Sequence, residues 1–272
     1  MPRNSMEVSL FRPRSAVPGA IALCLLLAPS VGFAAAEVHR FSLALSGVPT
    51  QINAGDFNDN IEVYNRTVVT PPPRGYDPLP KINFSWLFDS ELRYFATRNL
   101  AITAGVGQLR GKSTKEYLPA LVQAINVRAE LLTVPVHIGA TYYLQAYNQG
   151  DFQARAYIGG GFVSVTQGKV LFEQLEFATD SATTLGGSTR FRARGDGPGY
   201  YFELGGHMFF ASRYSVILGG IYRSAVIRDL RITQDLINRN TVTTGQIPVN
   251  AEDTLDLDVG GLGVRMAVAI GF

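Results

Sequence analysis

Eight stretches of this chain alternate, residue by residue, between a bulky apolar face and a face of small or charged side chains. None contains an apolar run of ~18 residues, the length a membrane-spanning helix requires. The last stretch sets the pattern. Leu262, Val264, Met266, Val268, Ile270 and Phe272 fall on one face, and Gly261, Gly263, Arg265, Ala267, Ala269 and Gly271 on the other. A period of two is that of a strand with two unlike surroundings. A half-buried soluble strand would turn bulky polar groups to water. Here the second face is small apart from one arginine, which suits a crowded interior, and the bulky face needs an apolar medium.

The other seven stretches agree. They are read at about 37–47, 81–95, 99–107, 130–144, 152–162, 200–210 and 214–224. Their bulky faces carry, among others, Leu43, Leu45, Ile82, Trp86, Phe88, Ile102, Val136, Ile138, Phe162, Phe202, Leu204, Val216 and Leu218. Pro135 lies inside the fourth stretch and supplies no ladder donor, so a bulge is expected there. The connections alternate strictly. Short ones fall at 96–98, 145–151 and 211–213, and long ones at 48–80, 108–126, 166–197 and 228–253. An even-stranded up-and-down sheet places all short turns at one end and all long loops at the other. Phe95, Tyr142, Phe152, Phe210, Tyr214 and Phe272 would ring the short-turn end as an interfacial girdle. The expected fold is all-β: an eight-stranded antiparallel up-and-down transmembrane barrel with four long outer loops and three short periplasmic turns. A soluble lipocalin-type barrel would need a polar outer face. Trp86, Phe88, Tyr142, Phe162 and Phe210 deny it one.

The N-terminus is of another kind. Arg3, Arg12 and Arg14 precede the short apolar run "AIALCLLLAPSVGF" and then "AAAEV". That order is a secretory signal peptide, read as 1–36 with cleavage after Ala36, leaving 37–272 as the barrel domain. Cys24, the one cysteine, lies inside the leader, so the mature chain has neither disulfide nor thiol chemistry. The leader takes three basic residues and Glu7 with it, and what remains is charge-balanced. Nothing in that balance suits a nucleic acid.

The residues around Phe272 resemble the C-terminal assembly signal of bacterial outer-membrane barrels, carried here by Val264, Met266, Val268, Ile270 and Phe272. "LLTVPVHIGATYYL", "ARAYIGGGF" and "GYYFELGGHMFF" resemble central strands of the opacity-type, OmpA-like barrel family. The resemblance implies an exported protein of the outer membrane of a Gram-negative-type bacterium. Its partners would be membrane lipid and lipopolysaccharide, with periplasmic chaperones and the barrel-assembly machinery during biogenesis.

Little points to catalysis. His39, His137 and His207 are the only histidines, too far apart in sequence for a metal motif. Neither His137 nor His207 has a serine within two residues, so no Ser–His pair is expected, and no metal or cofactor. The glycine runs "YIGGGF" and "VGGLG" lack the helix and Lys–Ser/Thr of a phosphate loop. More telling is the set Asp89, Glu91, Arg93, Arg155, Glu203, Arg223 and Arg265, all of lumen parity. A lumen filled by protein must pair such charges, and the hairpin near residue 212 sets Glu203 about opposite Arg223. A polar plug is expected. "YLPALVQAI" in the second long connection is read as a short helix. The functional expectation is a structural or surface-binding role through the outer loops. A small channel for ions or apolar solutes is the alternative, and a lipid-modifying enzyme a weak third.

Overall fold

The computed structural model describes residues 39–70, 76–120, 123–149, 152–178, 189–210, 213–235 and 255–272. The leader 1–36, with Cys24, lies outside the described residues. The strands are β1 (Phe41–Gln51), β2 (Phe84–Phe95), β3 (Leu100–Ala120), β4 (Gln123–Tyr143), β5 (Tyr147–Gln149), β6 (Phe152–Ala178), β7 (Thr189–Phe210), β8 (Tyr214–Asp235), β9 (Leu255–Asp258) and β10 (Gly261–Gly271). One helix, α1 (Asp56–Tyr64), follows β1 and runs on as a wider turn over Asn65–Val69.

All pairings are antiparallel, in the order β1-β2-β3-β4-β6-β7-β8-β10, and β10 returns to β1. The chain is an eight-stranded closed barrel. At the seam Leu43 faces Ile270 and Leu45 faces Val268. Phe272 donates its backbone N–H to the Phe41 carbonyl at 2.9 Å, and their rings stack at 6.0 Å. Phe272→Asp would put a charge beside that seam. The variant is expected at a reduced level in the membrane fraction, and a wild-type level with normal heat-modifiable gel mobility would contradict that.

The outward faces form a continuous apolar belt. Leu45, Phe88, Ile138, Phe162, Leu204, Leu218 and Val268 are all exposed, Phe162 to 75%. Phe84, Trp86, Tyr200 and Tyr222 mark its upper rim, and Tyr94, Phe210, Tyr214 and Phe272 its lower one. The lower ring differs from expectation at one place. Phe95 turns inward against Tyr143, with ring centroids 5.5 Å apart, and Tyr94 takes the outward position.

The long connections are the larger difference. A strand needs only ~9–11 residues to cross a membrane, yet β3, β4, β6, β7 and β8 have 21, 21, 27, 22 and 22. Two of the four expected loops, 108–126 and 166–197, are mostly strand, β8 runs on to Asp235 at the start of a third, and the barrel wall rises well past the belt. The segment read as a short helix is extended instead: Tyr117–Ala120 ends β3 and Gln123 opens β4. Above the belt the polarity of the wall inverts. Arg110, Lys112, Thr114 and Arg128 point outward, while Leu109, Tyr117, Val127, Ala129 and Leu131 are buried inside.

β1, β2 and β10 stop near the belt, leaving one side of this extension open. Residues 52–70 and 76–83 fill it. Phe57, Ile61 and Tyr64 of α1, with Ile52, Val69, Leu79 and Ile82, join Leu131, Val170, Phe172, Phe191, Ile227 and Leu257 in one apolar core. Ile82, expected on the outer face, is therefore buried just before β2 begins. Asp56 and Asp59 sit in the first turn of α1, where the helix dipole favours acids. Asn58 pins the helix. Its amide donates to the carbonyls of Asn53 (2.5 Å) and Ile82 (3.1 Å), and its Oδ1 accepts from Ile82 N–H at 2.8 Å.

Two irregularities shape the wall. The β4–β6 register slips between Val134 and Pro135, leaving Thr166 as the extra residue and a bulge at the expected proline. Between β9 and β10 the chain kinks at Gly261, where φ is 154° and a Cβ would lie 1.7 Å from the Gln51 carbonyl oxygen. Gly261→Ala is therefore expected to be destabilising by about 1–3 kcal/mol, read from the denaturant midpoint of the refolded barrel.

Candidate functional site: the lumen ion-pair network

The level of the belt encloses charge. Neighbouring strands bring inward residues to one height, and the narrow eight-stranded bore lets opposite walls touch. Glu91 and Arg93 come from β2, Glu203 from β7 and Arg265 from β10. Glu91 and Arg93 have no exposure, and Glu203 and Arg265 almost none. Arg93 Nε meets Glu91 Oε1 at 2.6 Å. Arg265 Nη1 bridges Glu203 Oε2 at 2.7 Å and Glu91 Oε2 at 3.1 Å. Arg93 Nη2 lies 3.6 Å from Glu203 Oε1, and Arg265 Nη2 lies 3.5 Å from Asp89 Oδ2. Two guanidiniums thus hold three carboxylates, and His137 Nε2 contacts Asp89 Oδ1 at 3.0 Å.

Neutral groups complete the layer. Arg93 Nη1 donates to the Tyr143 hydroxyl at 2.7 Å, and Thr141 donates to Glu203 Oε1 at 3.3 Å. The Arg93 guanidinium lies 5.7 Å from the Tyr157 ring centroid. Small inward residues make room for these long ones. A Cβ at Gly139 would stand 2.3 Å from the Tyr201 hydroxyl, so that tyrosine needs the glycine opposite. Below the network, Phe95, Tyr143, Tyr157 and Ile217 pack with Ala44, Ala101, Ala267 and Ala269. The bore is thus filled in three layers: apolar below, charged in the middle, apolar above.

Two expected members sit elsewhere. The register places Tyr201, not Glu203, opposite Arg223, and Ile221 opposite Glu203. Glu203 takes its cations from Arg265 and Arg93, across the bore. Arg223 is buried with no ion pair within 4 Å among the described residues, and borders a pocket of about 460 Å³ with Asp258, Asn53 and Asn83. Phe210 pairs with Tyr214, and counting back from that pair sets Glu203 opposite Ile221, two residues short of Arg223. Arg155 belongs to the short-turn end. It donates to the Arg98 carbonyl oxygen and, at 3.5 Å, to Asn99 Oδ1, and covers the Tyr143 ring at 5.9 Å.

Other contacts had no local signal. Asp89, Glu91 and His137 offer three potential metal-ligand atoms within 4.8 Å of one another, although 46 residues separate Glu91 from His137 in sequence. Arg265 already provides the positive charge there. A Ser–His pair also exists, contrary to the spacing argument. His207 Nε2 lies 2.8 Å from Ser215 Oγ on the next strand. His207 Nδ1 faces the Tyr143 hydroxyl at 3.0 Å rather than a carboxylate. Serine and histidine are both buried in the bore, away from the apolar outer wall. A hydrolase triad needs an acid on the second imidazole nitrogen and a serine open to substrate, and this pair has neither.

No protein-family model matches the chain, and no curated protein matches it. Among solved structures it is similar to the N-terminal β-barrel domain of Pseudomonas aeruginosa OprF. That match has 11% identity and a TM-score of 0.33, and covers 85% of this chain and 97% of that one. It is also similar to Ail, the attachment invasion locus protein of Yersinia pestis, in complex with the heparin analogue sucrose octasulfate. There the identity is 10% and the TM-score 0.35, with coverage of 86% and 98%. A second structure of Ail matches at 11% identity and a TM-score of 0.31, over the same shares of each chain. The eight-stranded fold of this chain rests on its own closed ring of strands.

Proposed function

We propose that this chain is an integral barrel of the bacterial outer membrane, with a structural or surface-interaction role. We further propose that it is closed to solutes in its resting state and has no catalytic role. The observation that carries this reading is the inversion of polarity along one continuous wall. For one membrane thickness the wall is apolar outside and charged inside. Beyond that height it is charged outside and apolar inside. Only a slab of hydrocarbon around the lower part accounts for both halves. Lipid and lipopolysaccharide are then the natural surroundings of the belt, and the β1–β10 seam is the last closure the assembly machinery makes. Against a channel stand the three packed layers of the bore. The tall extension with α1 inside it is a rigid platform, suited to presenting a binding surface.

Orientation is tested with single cysteines, since the mature chain has none. Lys115→Cys, near the outer end of β3, should react with a membrane-impermeant maleimide on intact cells. Arg98→Cys, in a short turn, should react only after the envelope is opened. Labelling of Arg98→Cys alone on intact cells would contradict the reading.

A further inference from the structure

We propose that a groove on the outer wall of β6, β7 and β8 binds the phosphates of a membrane lipid with an extended, phosphorylated saccharide headgroup. The groove encloses about 820 Å³ and is lined by Lys169, Arg194, Arg228 and Arg231, with Asp196 and Asp229 as its only carboxylates. Four cations therefore face two acids. Three of the cations lie in one row across the sheet, Lys169 opposite Arg194 and Arg194 opposite Arg231. Like charges directly opposed in a sheet repel, so an anion placed among them relieves a conflict built into the wall.

Most other described cations of the extension are paired, Lys112 excepted. Arg110 and Arg128 share Glu130, Lys115 reaches Asp77 and Arg190 is held by Glu173. Among the described residues, none of the four groove cations makes an ion pair within 4 Å. The wall is also shaped here. β6 carries an extra residue at 166–167 and β8 another at 228–229, on either side of β7. Bulges of this kind re-aim side chains beside binding sites. Asp229 is held at φ 56°, its N–H bonded to Asp256 Oδ1 at 3.3 Å. Few non-glycine residues adopt that conformation.

Height selects the ligand. On β7 the last exposed belt ring is Tyr200, six residues from Arg194. That is about 20 Å of strand and, at a tilt of about 45°, about 14 Å of height. A glycerophospholipid phosphate sits at the acyl boundary, too low for the row. A phosphorylated sugar headgroup reaches it, with its acyl chains against Phe162, Tyr200 and Tyr222 below. Bidentate arginine–phosphate bonds suit that chemistry.

The inference rests on the membrane reading, and its test keeps the two apart. The refolded full-length mature chain is placed in nanodiscs, where insertion and heat-modifiable mobility report on the barrel alone. Binding is then measured for a glycolipid carrying phosphates on both its acylated disaccharide and its core sugars. Comparators are the same glycolipid without core phosphates, phosphatidylglycerol, and inorganic phosphate. The core-phosphorylated glycolipid should bind at least tenfold more tightly than each. Arg194→Gln with Arg231→Gln should remove that preference, while Lys112→Gln with Lys115→Gln, an equal charge change on β3, should leave it. Equal binding of the phosphorylated and dephosphorylated forms, or no effect of the groove variant, would overturn the proposal with the barrel intact. So would inorganic phosphate filling the site as tightly as the lipid.

Discussion

Glu91→Ala is expected to destabilise the refolded barrel by about 3–5 kcal/mol, because it leaves buried arginines short of a counter-charge. Glu91 faces Arg93 at 2.6 Å and Arg265 at 3.1 Å, and all three side chains are essentially without solvent. Water cannot take its place without opening the layer. Urea unfolding in lipid vesicles, followed by tryptophan fluorescence from Trp86, measures the loss. Arg223→Met is the matched contrast. Its guanidinium has no ion pair within 4 Å among the described residues, so replacement by an apolar side chain of similar length should be neutral or stabilising. A large loss at Arg223 with none at Glu91 would mean that the charged layer is held in some other way.

The second large effect is expected in the upper core. Phe57→Ala empties the main apolar contact of α1 and should cost about 3–5 kcal/mol. That cost falls on the extension, since Phe57 belongs to the upper apolar core, with Ile61, Leu131 and Val170, and not to the belt. Hydrogen exchange should therefore quicken across 56–69 and the outer halves of β3 and β4, while 100–106 and 262–270 keep their protection. Heat-modifiable mobility should be unchanged. Uniform loss of protection through the belt would show that the extension and the lower barrel unfold as one unit.

These two layers differ in how far the sequence reveals them. The belt is legible because each strand separately sets an apolar outer face against a small or charged inner one, so alternation in a single segment carries the message. Pro135 is legible for a similar reason, since a missing N–H is a local fact, although the extra residue, Thr166, lies on the partner strand. The extension is hidden by the rule that finds the belt. Past Gly107 the alternation continues, with Leu109 inward and Arg110 outward, but the apolar side has changed faces. A search for bulky outward residues stops there and leaves 108–126 as a loop. Helix α1 is hidden too, because its burial depends on β1 and β2 ending early on the wall above it.

The lumen residues are legible as inward by parity alone. Their partners are not, because pairing across the bore depends on stagger. Glu203 stands about opposite Arg223 only if the count back from the turn is two residues out. The true register moves it to Ile221, and its counter-charges arrive from β2 and β10. The pairs His137–Asp89 and His207–Ser215 escape notice for the same reason: each joins residues from different strands.

Planar-bilayer recording of the refolded protein tests the central claim most directly, beside Glu91→Ala in the same lipid. A bore packed in three layers predicts no stable conductance from the unaltered barrel, and brief, irregular openings once the charged layer is broken. Large, steady conductance from the unaltered protein, indifferent to Glu91→Ala, would contradict the closed barrel and make the protein a channel.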